Sequence, residues 1–287
     1  MEPKRKRGDR RDGRRLKTVH DFNGIFPYIM RGRNESIVFF SEVLDVENLL
    51  AYIERKKGTP GETSFFQVFV AAMVQTFRER PAMNRFIMGR RIYQRDAVDV
   101  CFVVKREFSD EGTETTMKVR FKEDDTFEDI KRKLVSDIRT AKSGEEKDDD
   151  AFISFLMSLP RFMIRAIARL LEWCDFYFGV PKDLENIDPL RCSIFLTNLG
   201  SIGIDAPYHH LYEWGTCSVF GAIGKIRNTP IALEDGSLVV RKAVEVKMSL
   251  DERIADGFYF ARSLEVFRRY IANPELLEQE QEAPHAE

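Results

Sequence analysis

Ile194–Gly203 reads I-F-L-T-N-L-G-S-I-G, and Ser249–Gly257 reads S-L-D-E-R-I-A-D-G. The apolar run Cys192–Thr197 predicts a strand that ends on Thr197, whose hydroxyl can donate one hydrogen bond. A turn holding Gly200 and Gly203 follows; that spacing is too short for a dinucleotide fingerprint, and no helix pattern opens behind it. Upstream of the second stretch, Val244, Val246 and Met248 alternate with Glu245, Lys247 and Ser249, the period of a half-buried strand over Ser237–Ser249. Gly257 precedes a closing helix in which Phe260, Leu264, Phe267 and Ile271 recur at i, i+4, i+7 and i+11, with Asp256 placed to cap it.

Outward from these stretches the chain alternates strands and helices. Ser36–Val46 predicts a strand and Val46–Lys56 a helix. Thr63 or Ser64 caps a second helix, with Phe66, Val70, Met73 and Phe77 at helical spacing, which Pro81 stops. Phe86–Gln94 and Ala97–Lys105 read as a hairpin around Arg95-Asp96. Met117, Val119 and Phe121 mark a half-exposed strand, Thr126–Ala141 an amphipathic helix and Lys142–Asp150 a polar loop. A third strand candidate after Pro181 is Thr216–Ile226. Mixed elements without strict strand–helix–strand alternation point to an α/β two-layer sandwich, a mixed sheet with helices on one face.

Three segments stand apart. Residues 1–20 form an arm whose first 17 residues carry nine Lys and Arg against Glu2, Asp9 and Asp12, which reads as a solvated tail or as a contact to nucleic acid or phosphate. Residues 151–178 are apolar and aromatic, broken by Pro160, with Arg161, Arg165 and Arg169 on one stripe; a core or subunit-interface helix, a lid over an acyl pocket and a membrane-surface helix compete. Residues 276–287 read as an acidic, fraying tail after a domain over 21–275.

Composition narrows the classes. With 287 residues, 43% of them hydrophobic, the chain can bury one large core. Charged residues make up 32%, yet the net charge is only -2, so no global attraction to nucleic acid or anionic lipid is expected. Four scattered cysteines without a Cys-x-x-Cys pair read as reduced core thiols, and no leader or spanning stretch is visible, so a cytoplasmic protein is expected. No metal site is expected: adjacent His209 and His210 point in different directions and lack a third ligand nearby.

The two opening stretches together resemble the catalytic domain of the 2-oxo acid dehydrogenase acyltransferases (dihydrolipoyl acyltransferases), which share the chloramphenicol-acetyltransferase-like fold. That family carries T-I-S-N-L-G-x-x-G and, some fifty residues on, S-x-D-H-R-V-x-D-G; here Thr197 and Glu252 lie 55 positions apart. Arg80–Asn84 resembles its Pro-x-x-Asn segment, and Asp45–Leu50 its first Asp-x-x-x-Leu helix start. The resemblance covers about residues 21–275 apart from the insertion near 151–178. It implies a homotrimer that binds coenzyme A between subunits and moves an acyl group to a thiol or hydroxyl. Thr197 would be the oxyanion donor, Asp256 would hold the loop through an arginine (Arg14, Arg15 or Arg253), and Asn198, Gly200 and Arg253 would meet coenzyme A. With no room for a lipoyl domain, the acceptor is expected to be a small molecule or a carrier on another chain.

The departure is Glu252, which stands where the family has its catalytic histidine. An ordinary glutamate near ~4.3 faces a thiol near ~8.5 across about 4 pKa units, roughly 5.7 kcal/mol, whereas a histidine near ~6.5 faces about 2 units, roughly 2.7 kcal/mol. Three outcomes stay open. Glu252 is a base tuned by burial, His210 or His209 replaces it, or the site is inactive and the trimer serves as a scaffold or binding subunit.

Overall fold

The computed structural model describes residues 5–105, 114–142, 156–233 and 235–279. Residues 143–150 of the polar loop, the start of the 151–178 insertion and the tail after Gln279 lie outside them. In chain order the elements are β1 (Arg14–Arg15), α1 (Asp21–Ile29), β2 (Ile37–Asp45), α2 (Glu47–Lys56), α3 (Phe65–Glu79), β3 (Arg85–Met88), β4 (Arg91–Gln94), β5 (Val98–Lys105), β6 (Glu114–Phe121), α4 (Phe127–Lys142), α5 (Arg161–Tyr177), α6 (Lys182–Ile187), β7 (Ile194–Asn198), β8 (Val219–Ala232), β9 (Leu238–Asp251) and α7 (Gly257–Ala272), with short helical turns between them.

The main sheet runs β2-β9-β8-β7-β5-β6; β7 is parallel to both its neighbours and the other pairs are antiparallel. Strand alternation gives the sheet two different faces. Val100, Phe102, Ile194, Leu196, Val219, Ile223, Val246 and Met248 enter the main core with α2, α3, α4 and α7. Cys101, Phe195 and Phe220 point the other way and form a smaller cluster with Cys192, Leu211 and Cys217. The expected sandwich, a mixed sheet with helices on one face, is what forms.

α3 lies deepest. Ser64 Oγ accepts from the Gln67 amide while Gln67 Oε1 accepts from the Ser64 amide, a reciprocal cap at its start. Every residue from Val68 to Phe77 is buried, so the helix is covered all round.

The hairpin expected around Arg95-Asp96 is not there. β3 pairs with β4, and the turn is Gly89-Arg90, both at φ 58° as a tight primed hairpin turn requires. Arg95-Asp96 is instead the corner between the small sheet β1-β4-β3 and β5. Its polarity is only partly met from within: Arg95 Nη2 donates to the carbonyls of Cys192 and Thr216 and to Thr216 Oγ1, Arg95 Nε and Nη1 are buried without an acceptor, and Asp96 pairs with Arg5 and Arg14.

Neither outer segment matches the simplest reading. The described part of the basic arm is docked, not a solvated tail: β1 extends β4, and Arg10 reaches Asp12 at 3.0 Å and Asp175 at 2.5 Å. Residues 276–279, expected to fray, form a turn in which Leu277 is buried and Glu278 accepts from Tyr52 Oη. α5 is not a core helix of this chain. Phe162 (72% exposed), Leu170, Trp173 and Tyr177 face outward, and Asp175 is its one fully buried residue. Asp175 ties α5 down, because Arg191 also grips it, at 2.7 Å. Among the described residues, no helix is long and apolar enough to cross a membrane.

Asp175→Ala takes one of two carboxylates from each of two buried guanidinium groups, Arg10 keeping Asp12 and Arg191 keeping Asp188, and is expected to cost about 1–3 kcal/mol, read as a lower urea midpoint. A pH effect follows from Asp12. Burial pushes its carboxyl up, but Arg10, Arg95 and Arg191 outweigh this and hold it below the usual carboxylate range. Its contribution is therefore complete above the unfolded value of about 3.9 and is lost as pH falls through the depressed folded value. Asp12→Asn should flatten the acid limb of the stability profile.

Candidate active site

Thr197 occupies the last turn of β7 at the rim of the sheet. Phe195 faces the smaller cluster, so Thr197, two residues on, faces the same helix-free side. It aligns with Ala222 of β8, which aligns with Lys247 of β9, where Lys247 lies 4.9 Å from the Tyr208 ring. Among the described residues nothing takes the Thr197 hydroxyl, and the side chain is half-buried. Asn198 and Gly200 form the turn beyond it. Ser201 Oγ donates to the Asn198 carbonyl, and Gly200 lies so near β8 that a Cβ there would meet the Gly224 carbonyl oxygen at 2.3 Å.

Glu252 sits in the loop after β9, its amide donating to the Ser36 carbonyl at 2.9 Å. Its carboxylate forms no ion pair among the described residues, and it lines a crevice of about 10 Å³ with Asn23, Phe26 and Arg85. Counted along the sheet, Glu252 is two strands and five residues from the Thr197 row. At about 4.8 Å per strand and 3.3 Å per residue, the two are about 19 Å apart in one chain. A single copy cannot bring them to one reacting atom.

The neighbours of Glu252 are structural. Asp251 is fully buried and holds Arg253 through Nε at 2.8 Å and Nη2 at 2.7 Å. Arg253 Nη1 also donates to the carbonyls of Met30 and Arg31. This pairing was not foreseen, although the alternation of Asp251 and Arg253 in the loop is its sequence trace. Asp256 caps α7, accepting from the Tyr259 amide at 2.8 Å. None of the three arginines considered for it makes that contact: Arg253 holds Asp251, Arg14 holds Asp96, and Arg15 lies in β1.

The histidines lie over the same face as Thr197. His209 stacks on Phe220 with ring centres 4.0 Å apart, and its carbonyl accepts from Ser249 Oγ. His209 Nδ1 meets the His210 carbonyl at 2.7 Å, and His210 Nδ1 meets the Leu211 carbonyl at 3.0 Å. A carbonyl only accepts, so each neutral ring places its proton on Nδ1 and leaves Nε2 as the basic nitrogen. His209 is half-buried and His210 exposed. Among the described residues, no group of three or more His, Cys, Asp or Glu side chains is placed to hold a metal ion.

This arrangement has known relatives. Residues 183–278 match the family model described as 2-oxoacid dehydrogenases acyltransferase (catalytic domain). Both motifs fall within the match, and the resemblance read from them is borne out. The lipoamide acyltransferase component of the branched-chain alpha-keto acid dehydrogenase complex of Bacillus subtilis is 21% identical over 231 residues, 77% of this chain and 43% of that protein. The chain thus spans less than half the length of this curated acyltransferase relative. A probable dihydrolipoamide acetyltransferase from Listeria monocytogenes superposes with a TM-score of 0.58 at 15% identity, covering 96% of this chain and 98% of that one. The dihydrolipoamide acetyltransferase of Azotobacter vinelandii gives 0.61 at 13% identity, with 92% and 94% covered. A chloramphenicol acetyltransferase gives 0.50 at 13%, with 90% and 95% covered. The acyltransferase fold extends over nearly the whole chain.

Gly200→Ala tests the packing that holds the Thr197 turn against β8. Because backbone would have to move, a loss of about 1–3 kcal/mol is expected in thermal melting. Gly203→Asn, at a left-handed turn position with open space around it, should change stability much less.

Proposed function

We propose that the protein is an acyltransferase that moves an acyl group between coenzyme A and a thiol or hydroxyl acceptor, in a site completed by a second copy of the chain. One observation carries this reading: Thr197 and Glu252 both keep their motif positions, yet they lie too far apart in one copy to act together. The homotrimer implied by the resemblance brings the Glu252 loop of one copy to the Thr197 rim of the next. The acceptor is a small molecule or a carrier on another chain, and no lipoyl group on this chain is required.

The chemistry follows from the groups present. Attack on a thioester carbonyl places negative charge on its oxygen. The Thr197 hydroxyl, unengaged among the described residues, donates to that oxyanion, and loss of one such donor lowers turnover about 10²–10³-fold. The acceptor's proton passes to Glu252 of the neighbouring copy; collapse of the tetrahedral intermediate then breaks the carbon–sulfur bond, and Glu252 returns that proton to the departing coenzyme A thiolate. Asn198 and Gly200 shape the turn against which coenzyme A lies. Arg253 and Asp256 fix the Glu252 loop, Arg253 through Asp251 and Asp256 by capping α7.

A second reading for the base rests on the imidazoles. His210 Nε2, with Nδ1 anchored on a carbonyl, is a basic nitrogen on the Thr197 face of the same chain. A chain that binds no coenzyme A would be a scaffold or binding subunit of the same fold.

Mixing separates these. Thr197→Ala and Glu252→Gln chains should each turn over about 10²-fold or more slower alone and regain activity when refolded together, because mixed assemblies contain intact Thr197–Glu252 pairs. Full activity of Glu252→Gln with loss in His210→Gln would move the base to the histidine. No calorimetric binding of coenzyme A or acetyl-coenzyme A up to millimolar concentration would sink the acyltransferase reading.

A further inference from the structure

We infer that the cavity beneath α5 is a binding site for a small ligand that carries an anionic head, carboxylate or phosphate, on an apolar body. The cavity holds about 330 Å³, within the range of small-molecule clefts. Its basic lining comprises Arg31, Arg33, Arg90 and Arg253; its apolar lining includes Pro27, Met88 and Phe176.

The charges around it are unevenly matched. Of the three lining carboxylates, Asp175 is taken by Arg10 and Arg191. Glu213 accepts from the amides of Arg33 and Asn34 and from the Asn34 side chain. Glu172 is exposed. The guanidinium groups of Arg31 and Arg90, by contrast, form no ion pair among the described residues, the Glu35 carboxylate being held by the backbone amides of Arg31 and Gly32.

Arg33 adds an independent sign. It is 4% exposed, and its Nη groups donate to the carbonyls of Ile87, Tyr212 and Glu213, but its Nε is buried without an acceptor. Loss of water pushes this guanidinium below the usual arginine range; Asp251 opposes the effect, and Arg253 adds to it. The positive charge is therefore incompletely balanced from within the chain.

Arg90 is also held at the rim against its backbone preference. It is the one non-glycine residue with positive φ among those described. Gly89 beside it fits so closely under α5 that a Cβ would meet the Phe176 carbonyl oxygen at 2.3 Å. Such strain persists where the surroundings impose it, and it gathers at ligand sites. Here α5 and the turn together fix the Arg90 backbone at the rim of the cavity.

Calorimetry on the full chain tests the site, with hexanoate as the head-plus-body probe, inorganic phosphate as the head alone and 1-hexanol as the body alone. Saturable hexanoate binding is expected, weakened by added salt, competed by phosphate and not reproduced by 1-hexanol. The double variant Arg31→Gln with Arg90→Asn should weaken it about tenfold; both positions are exposed, and Asn tolerates positive φ. Equal affinity in wild type and double variant, indifference to salt, or no saturable binding would overturn the inference. Displacement of hexanoate by coenzyme A would identify the head as one of its phosphates, and persistence of hexanoate would identify a separate carboxylate ligand. The readout is binding, so it stands whether or not the chain transfers acyl groups.

Discussion

The buried Asp251–Arg253 pair is the constraint on which the functional end of the molecule rests. A carboxylate without solvent at the end of β9 must be answered by a cation, and Arg253 answers it from two residues away. The intervening Glu252 is thereby turned outward, while the remaining Arg253 donors draw the end of α1 onto the loop. One pair thus fixes the position of the candidate base, the approach of α1 and one wall of the cavity under α5. Removing either partner would leave an uncompensated buried charge, a larger penalty than the net strength of the pair itself.

The same logic attaches the insertion. α5 buries little apolar surface on its own chain and is fastened by charge through Asp175, with Arg10 from the arm on one side and Arg191 from the segment before β7 on the other. The arm, the insertion and the main sheet therefore form one connected unit. The outward aromatic side chains of α5 have no equivalent anchor, and their exposure is compatible with the rest of the fold because the helix does not depend on them.

Local periodicity made most of the sheet and helices legible. The alternation through Val244, Val246 and Met248, the cap at Ser64 and the spacing from Phe260 to Ile271 each report one element with one face buried. The β3–β4 turn was misplaced because Arg90 in a left-handed conformation is a poor sequence signal, while Arg95-Asp96 looked like a turn and is in fact a buried corner. At the site, Thr197 and Glu252 were identifiable from motif position. Their separation was not, because it depends on strand order in the sheet. The ion pairs of Asp175 were invisible for a similar reason: Arg10 lies 165 residues away and Arg191 16, and nothing local marks either as its partner.

The distance between Thr197 and Glu252 also has a kinetic consequence. The centre proposed above, divided between copies, would make the concentration of the chain part of its chemistry. Below the dissociation point of the assembly, specific activity would fall with dilution even though every chain stayed folded. A copy defective in both groups would silence two centres, one through its donor and one through its base, so a small proportion of such chains would lower the output of the whole population by more than their number.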